Sequence, residues 1–84
     1  MNNDDLIKKL ISIINNYSET YKFQLNELSY KKTIELDSID FTNFILDLEK
    51  EFGIEISEKD LNKFKNLNTI VKMLKKKLTH SMKK

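Results

Sequence analysis

The sequence predicts an all-α domain: a small four-helix bundle with three main helices, one short third helix, and a long loop between helices one and two. Three observations lead there. Among 84 residues there is no proline and a single glycine, Gly53, so helix breakers are almost absent. Apolar residues recur three and four positions apart in three separate stretches. No alternation of apolar and polar residues is long enough to make a useful strand. A chain of this length makes one domain with one modest core. The expected division is a helical domain over 1–78 and a basic C-terminal tail over 79–84.

The first helix is expected from about Asp4 to Asn15. Asn3 is a good cap, and Asp4 and Asp5 sit at the positive end of the helix dipole. Leu6, Ile7, Leu10, Ile11 and Ile14 share one face, with Lys8 and Lys9 on the other. A connection over 16–36 follows. It is long for so small a domain, and Leu25, Leu28 and Ile34 are the expected anchors to the core.

The second helix is expected from Ser38 to Phe52, with Asp37 as cap and Asp40 at the third position of a capping-box arrangement. At 100° per residue, Phe41, Phe44, Ile45, Leu48 and Phe52 form the core arc. Ile39 and Leu46 fall on the opposite, wet side, flanked by Asp40 and Asp47. Two exposed aliphatics rimmed by acids fit a small docking surface. They also fit the ordinary scatter of apolar residues on a protein surface.

Gly53 is expected to end this helix in a left-handed conformation. Ile54, Glu55 and Ile56 then form a short extended link. Ser57-Glu58-Lys59-Asp60 starts a short third helix that turns Leu61 and Phe64 inward. Asn68 is the expected cap of the fourth helix, which buries Ile70, Val71, Leu74 and Leu78 and exposes Lys72, Lys75, Lys76 and Lys77. Residues 79–84 are expected to fray.

Composition excludes several function classes. Without cysteine there is no disulfide, thiolate zinc site or cysteine nucleophile. The one histidine, His80, lies in the Lys-rich end. That leaves no histidine metal site and no Ser-His-Asp constellation within the chain. Apolar runs of two or three residues span no membrane, and the acidic N-terminus is not that of a signal peptide. The expected location is therefore the cytoplasm. Asn16-Tyr17-Ser18 matches a glycosylation sequon, a match common by chance.

The net charge of +2 conceals an asymmetry. Residues 35–60 carry −7 and residues 61–84 carry +8. The acidic third calls for basic partners. The lysine-rich third could address an anionic surface, but a solvated helix face explains it as well. Every cation is lysine, which suits bidentate reading of phosphates or bases less well than arginine would. Nucleic acid is not an expected partner.

One residue stands apart from the packing pattern. Ser38 lies between Asp37 and Asp40 at the mouth of the second helix. Its hydroxyl should project outward beside Ile39, where a modifying enzyme can reach it. A phosphodiester formed there would lie at the positive end of the helix. From the serine alone, the simpler reading is a residue that suits a first turn.

The residues around Ser38 carry a family resemblance. Asp37-Ser38-Ile39 resembles the Asp-Ser-Leu or Asp-Ser-Ile motif of the acyl and peptidyl carrier superfamily. The likeness continues through Leu48-Glu49-Lys50-Glu51-Phe52, then Gly53-Ile54-Glu55-Ile56-Ser57-Glu58-Lys59-Asp60, and Leu67-Asn68-Thr69-Ile70. It covers about residues 4–78. It implies an acyl carrier protein with no catalysis of its own. Ser38 would receive 4'-phosphopantetheine from coenzyme A through a phosphopantetheinyl transferase. The arm's thiol would carry an acyl group as a thioester, as in fatty acid biosynthesis and lipid metabolism generally. An aminoacyl or peptidyl carrier is the alternative, and an unmodified helical docking adaptor is a further one. The resemblance also implies partners that activate, transfer and condense acyl groups and present basic patches to Asp37, Ile39, Asp40, Leu46 and Glu49. Phe44, Ile45, Leu48, Ile56 and Phe64 could line an acyl pocket, with core packing as their simpler role. The expected state is a monomer without membrane insertion. Glu35 stands where the family usually has glycine. Asn43 and Lys50 replace common glutamates, Ile39 is commoner in peptidyl and specialised carriers, and the charge is positive. These departures point to a dedicated pathway.

Overall fold

A computed structural model describes residues 3–19 and 21–82. Four α-helices and one 3₁₀ turn follow in order: α1 Asn3–Ile14, α2 Glu27–Lys31, α3 Ser38–Phe52, the 3₁₀ turn Lys59–Lys63, and α4 Leu67–Met82. The described residues contain no strand. The all-helical expectation is met, with one element more than the sequence suggested.

α1 packs against both α3 and α4, and α2 and the 3₁₀ turn pack on α4. The stripes that meet are those the spacing marks out. Leu6, Leu10 and Ile14 of α1, Phe44 and Leu48 of α3, and Leu67, Ile70 and Leu74 of α4 are essentially inaccessible to solvent. Each such side chain contributes about 1.5–3 kcal/mol of apolar burial before entropy is counted. Val71, Met73, Phe52 and Phe64 close the core. α1 takes in Asn3, the residue expected to cap it from outside.

The long connection departs most from expectation. Leu25 and Leu28 are exposed, at 53% and 74%, so they are not its anchors. Phe23 is buried instead, and Tyr21, Tyr30 and Ile34 pack against the core. The cause is α2. Asn26 caps it by accepting the Ser29 N–H at 2.8 Å. The resulting turn sends Ser29 and Tyr30 inward and Leu28 outward. Polar pairs complete the attachment. The Asn15 side-chain amide donates to the Phe23 carbonyl at 3.1 Å and accepts the Phe23 N–H at 2.9 Å. Lys22 Nζ donates to the carbonyls of Asn15 and Ser18 just past the end of α1, both at 2.8 Å, where a cation favours the helix dipole. Ser29 is fully buried; its Oγ accepts the Gln24 N–H and bonds to the Tyr21 hydroxyl.

α3 ends as expected. Gly53 has φ 64° and ψ 40°, and Gly53 and Ile54 donate their N–H groups to the Glu49 carbonyl. A Cβ added there would meet nothing within 4 Å. The cost of Gly53→Ala is therefore backbone strain alone, about 1–2 kcal/mol for an L-residue held left-handed. Urea unfolding should show that loss as a lower midpoint with an unchanged slope.

Two expectations in the C-terminal third are corrected. Leu61 is exposed at 38%, whereas Phe64 is buried. Phe64 lies beyond the 3₁₀ turn, at φ −90° and ψ 52°, so regular spacing does not put the two on one face. The cap of α4 is Asn66, not Asn68. Asn66 Oδ1 accepts the Thr69 N–H at 3.0 Å and Thr69 Oγ1 accepts the Asn66 N–H at 3.2 Å. Leu67 is fully buried as the first helical residue, which starts the helix ahead of Asn68.

The expected box at Ser57 is built only from the Asp60 side: the Asp60 N–H goes to the Ser57 carbonyl and the 3₁₀ turn has no side-chain cap. The Asp60 carboxylate accepts from both the N–H and the hydroxyl of Ser57 and pairs with Lys77 at 2.7 Å. Lys77, then Ser57, hold its pKa below the ordinary carboxylate value. Lys72, Lys75 and Lys76 are exposed. α4 continues through Met82; Lys83 and Lys84 lie outside the described residues, as do Met1 and Asn2.

Candidate functional site at the start of α3

Ser38 is the first residue of α3, with its side chain exposed. The backbone around it is fixed on three sides. Asp37, at φ −71° and ψ 173°, turns an extended chain into the helix, and its Oδ1 accepts the Asp40 N–H at 2.8 Å. The Asp37 carbonyl accepts the Phe41 N–H at 2.8 Å. Thr42 Oγ1 donates to the Ser38 carbonyl at 2.9 Å. The expected capping box is half built, because no described bond runs back from the Asp40 carboxylate to the Asp37 N–H. Aspartate is one methylene shorter than the glutamate that usually makes that return contact.

The wet side of α3 carries Ile39 at 74% exposure and Leu46 at 55%, with exposed Asn43 and Lys50 between and beyond them. The acids expected to rim this face are unequal. Asp37 is exposed and Asp40 half-buried, and neither forms an ion pair among the described residues. Asp47 accepts a hydrogen bond from the Tyr17 hydroxyl. Glu49 is turned to the following link, where its Oε2 accepts the Ile56 N–H at 2.8 Å. Glu51 pairs with Lys9 of α1 at 3.1 Å, and that ammonium also lies 5.7 Å from the centre of the Phe52 ring. Asp37 and Asp40, at the Ser38 end, are the carboxylates of this set with no described bond to another element.

Tyr17 is the residue near this helix that the sequence reading missed. Its ring packs edge-on to Phe44 with centroids 6.3 Å apart, and its hydroxyl bonds to Asp47. That bond raises the Tyr17 pKa above the ordinary 10.0, aided by burial and by the charges of Asp47 and Asp40. Ionisation is disfavoured in the folded state. The contribution is therefore complete below the ordinary tyrosine value and is lost as pH rises through the higher folded value. Tyr17→Phe should cost about 1–2 kcal/mol at neutral pH, through loss of the bond to half-buried Asp47. It should also flatten the alkaline fall in melting temperature that sets in near pH 10 and above. A helical period cannot reveal Tyr17, because it lies in the turn past α1 and acts across the fold.

Of the interior residues named as pocket candidates, Phe44, Leu48 and Phe64 are buried, and Ile45 and Ile56 are half-buried. Phe64 meets Phe44 and Phe41 edge-on, at 6.0 and 5.7 Å between centroids. These rings support α3 from beneath, directly behind its first two turns.

The arrangement is an accessible primary hydroxyl on a rigid helix start, beside an apolar and anionic surface. It suits a group attached to the serine and a partner that comes to it. Among the described residues no cluster of histidine, cysteine, aspartate or glutamate could hold a metal ion, and no described helix is long and apolar enough to cross a membrane.

Comparison with known proteins bears on the same segment. Residues 33–74 match the family described as the phosphopantetheine attachment site. An acyl carrier protein of Buchnera aphidicola is 40% identical over 75 residues, covering 88% of this chain and 89% of that one. An acyl carrier protein homolog of Mycoplasmopsis pulmonis is 35% identical over 65 residues, covering 77% and 89%. An acyl carrier protein of Lactobacillus acidophilus is 32% identical over 76 residues, covering 89% and 95%.

Proposed function

This chain belongs to the acyl carrier protein family, and we propose that Ser38 is the residue through which it carries its cargo. The family's group is 4'-phosphopantetheine, attached covalently, and the chain is a carrier rather than a catalyst. The observation that bears the proposal is the position of Ser38: an exposed hydroxyl on the first residue of a 15-residue helix, inside the matched segment.

The residues present fit the group. The first N–H groups of a helix have no partner within it, and Asp37 takes that of Asp40. Those of Ser38 and Ile39 remain near the hydroxyl, at the positive end of the dipole, where an attached phosphodiester is favoured. The bonds made by Asp37 and Thr42 fix the serine backbone, so the hydroxyl is presented in one place. When attached, the arm supplies a terminal thiol that holds an acyl group as a thioester. The absence of cysteine from the chain accords with that division of labour.

Partners are a phosphopantetheinyl transferase and enzymes that load, move and condense acyl groups. We assign their docking to Asp37, Ile39, Asp40 and Leu46, of which Asp37, Ile39 and Leu46 are exposed and Asp40 half-buried. Glu49 belongs to the same surface through its position on α3, with one oxygen occupied by Ile56. Phe44, Ile45, Leu48, Ile56 and Phe64 form the interior against which an acyl chain would insert. The cargo is an acyl group of a dedicated pathway, carried by a monomer in the cytoplasm, with residues 1–78 as the carrier domain and 79–84 as a basic extension.

Intact-mass measurement after incubation with coenzyme A and a broad-specificity transferase tests the assignment. A single phosphopantetheinyl addition, mapped to Ser38 by peptide fragmentation, is expected. No addition with several transferases, or addition elsewhere, would overturn it.

A further inference from the structure

The outward face of α4 carries charge of one sign. Lys72, Lys75 and Lys76 are exposed and, at 100° per residue, fall within an arc of about 100°, opposite the buried Ile70 and Leu74. They stand three and four positions apart, spacings at which like charges repel and weaken a helix. A solvated surface ordinarily mixes signs, yet residues 61–84 contain no acid. None of the three lysines forms an ion pair among the described residues. Asp60, which reaches α4, is taken by Lys77, and Glu27 of the adjoining α2 by its own Lys31. α2 packs on α4. Its segment leaves Leu25 and Leu28 exposed at 53% and 74%, with Lys31 and Lys32 exposed after them. Two bare leucines and a lysine stripe thus lie on neighbouring elements.

We propose that the carrier rests reversibly on anionic lipid surfaces, with Lys72, Lys75 and Lys76 at the headgroup phosphates and Leu25 and Leu28 in shallow contact with the interface. Charge alone would suit any polyanion. The leucines favour lipid: a nucleic acid backbone offers them no apolar cover, whereas the boundary of headgroups and acyl chains does. The choice of cation agrees. Lysine brings a point charge to a diffuse surface, without the planar fork that reads individual phosphates or bases. A few neighbouring lysines draw a protein to such a surface without anchoring it, so the binding is weak and salt-sensitive. Ser38 stays reachable throughout, because it is exposed on a different helix, α3. The contact does not depend on what Ser38 bears.

Co-sedimentation of the full chain with vesicles tests this, comparing equimolar phosphatidylglycerol and phosphatidylcholine with phosphatidylcholine alone. At low ionic strength the chain should bind the mixed vesicles and hardly bind the neutral ones, and added salt should release it. Replacing Lys72, Lys75 and Lys76 together by glutamine should weaken binding on the order of a hundredfold. Glutamine suits a helix, and a melt no lower than that of the wild type would show the fold intact. Leu28→Ser should weaken binding about tenfold and leave its salt dependence unchanged. Equal binding to both kinds of vesicle, no binding to either, or a triple variant that binds like the wild type would overturn the proposal. Binding to duplex DNA that the triple variant loses and Leu28→Ser retains, with none to vesicles, would give the lysines to nucleic acid instead. Each of these failures leaves the assignment of Ser38 standing, since the mass addition there is read in solution without lipid.

Discussion

Ser38→Ala is expected to abolish phosphopantetheinylation completely while leaving the fold intact. The two halves of that statement have separate grounds. The side chain is exposed at the first position of α3. The cap that starts the helix belongs to Asp37, whose carboxylate holds the Asp40 N–H. Removing one exposed hydroxyl should change stability by no more than about 0.5 kcal/mol. Thr42 bonds to the Ser38 backbone carbonyl, which alanine retains. Intact mass should therefore show no addition to the variant under conditions that convert the wild type fully, while circular dichroism melts coincide. Persistent addition to Ser38→Ala would place the attachment elsewhere and remove the basis for the functional reading. An unmodified adaptor would instead keep its partner binding after the substitution.

Phe44→Ala should have the largest effect on stability. Phe44 is fully buried in α3 and touches Tyr17 and Phe64 edge-on. Truncating such a ring costs about 3–5 kcal/mol, from lost transfer energy and the cavity left behind. Domains typically have only about 5–15 kcal/mol in total, and a small one sits towards the lower end. The melting temperature should fall by on the order of tens of degrees. Ile39→Ala removes an aliphatic side chain from the same helix but from its exposed side. It should leave the melt nearly unchanged while slowing modification. The opposite pattern, a mild Phe44→Ala and a strongly destabilising Ile39→Ala, would mean that the inner and outer sides of α3 are reversed.

The main helices were legible because their burial follows a 3.6-residue period, which a single chain displays directly. Asp37 as cap, Gly53 as left-handed terminator and Ile39 with Leu46 on the wet side all follow from local rules, and all are observed. The connection over 16–36 was not legible. There, hydrophobicity pointed to Leu25 and Leu28, whereas Phe23, Ser29 and the Asn15 amide hold the chain. Polar contacts across a fold depend on what folding brings near, and no spacing rule encodes them. Asn68 lost the capping role to Asn66 for a related reason: burial of Leu67 decided where α4 begins. For the candidate site, the position of Ser38 was readable. The engagement of Asp47, Glu49 and Glu51 was not, since their partners Tyr17, Ile56 and Lys9 come from other elements.

The two-point bond between Asn15 and Phe23 also alters the thermodynamics of chain closure. A connection of about twenty residues is usually counted as one flexible loop, whose ordering cost rises with the logarithm of its length. Here residues 15–23 form a small ring closed by one side chain, and the Ile34 N–H bonds to the Lys65 carbonyl at the far end. The long span is thereby divided into short closures, each made by a contact between nearby groups. Much of the entropy that its length suggests would be lost on docking against the core is instead lost locally.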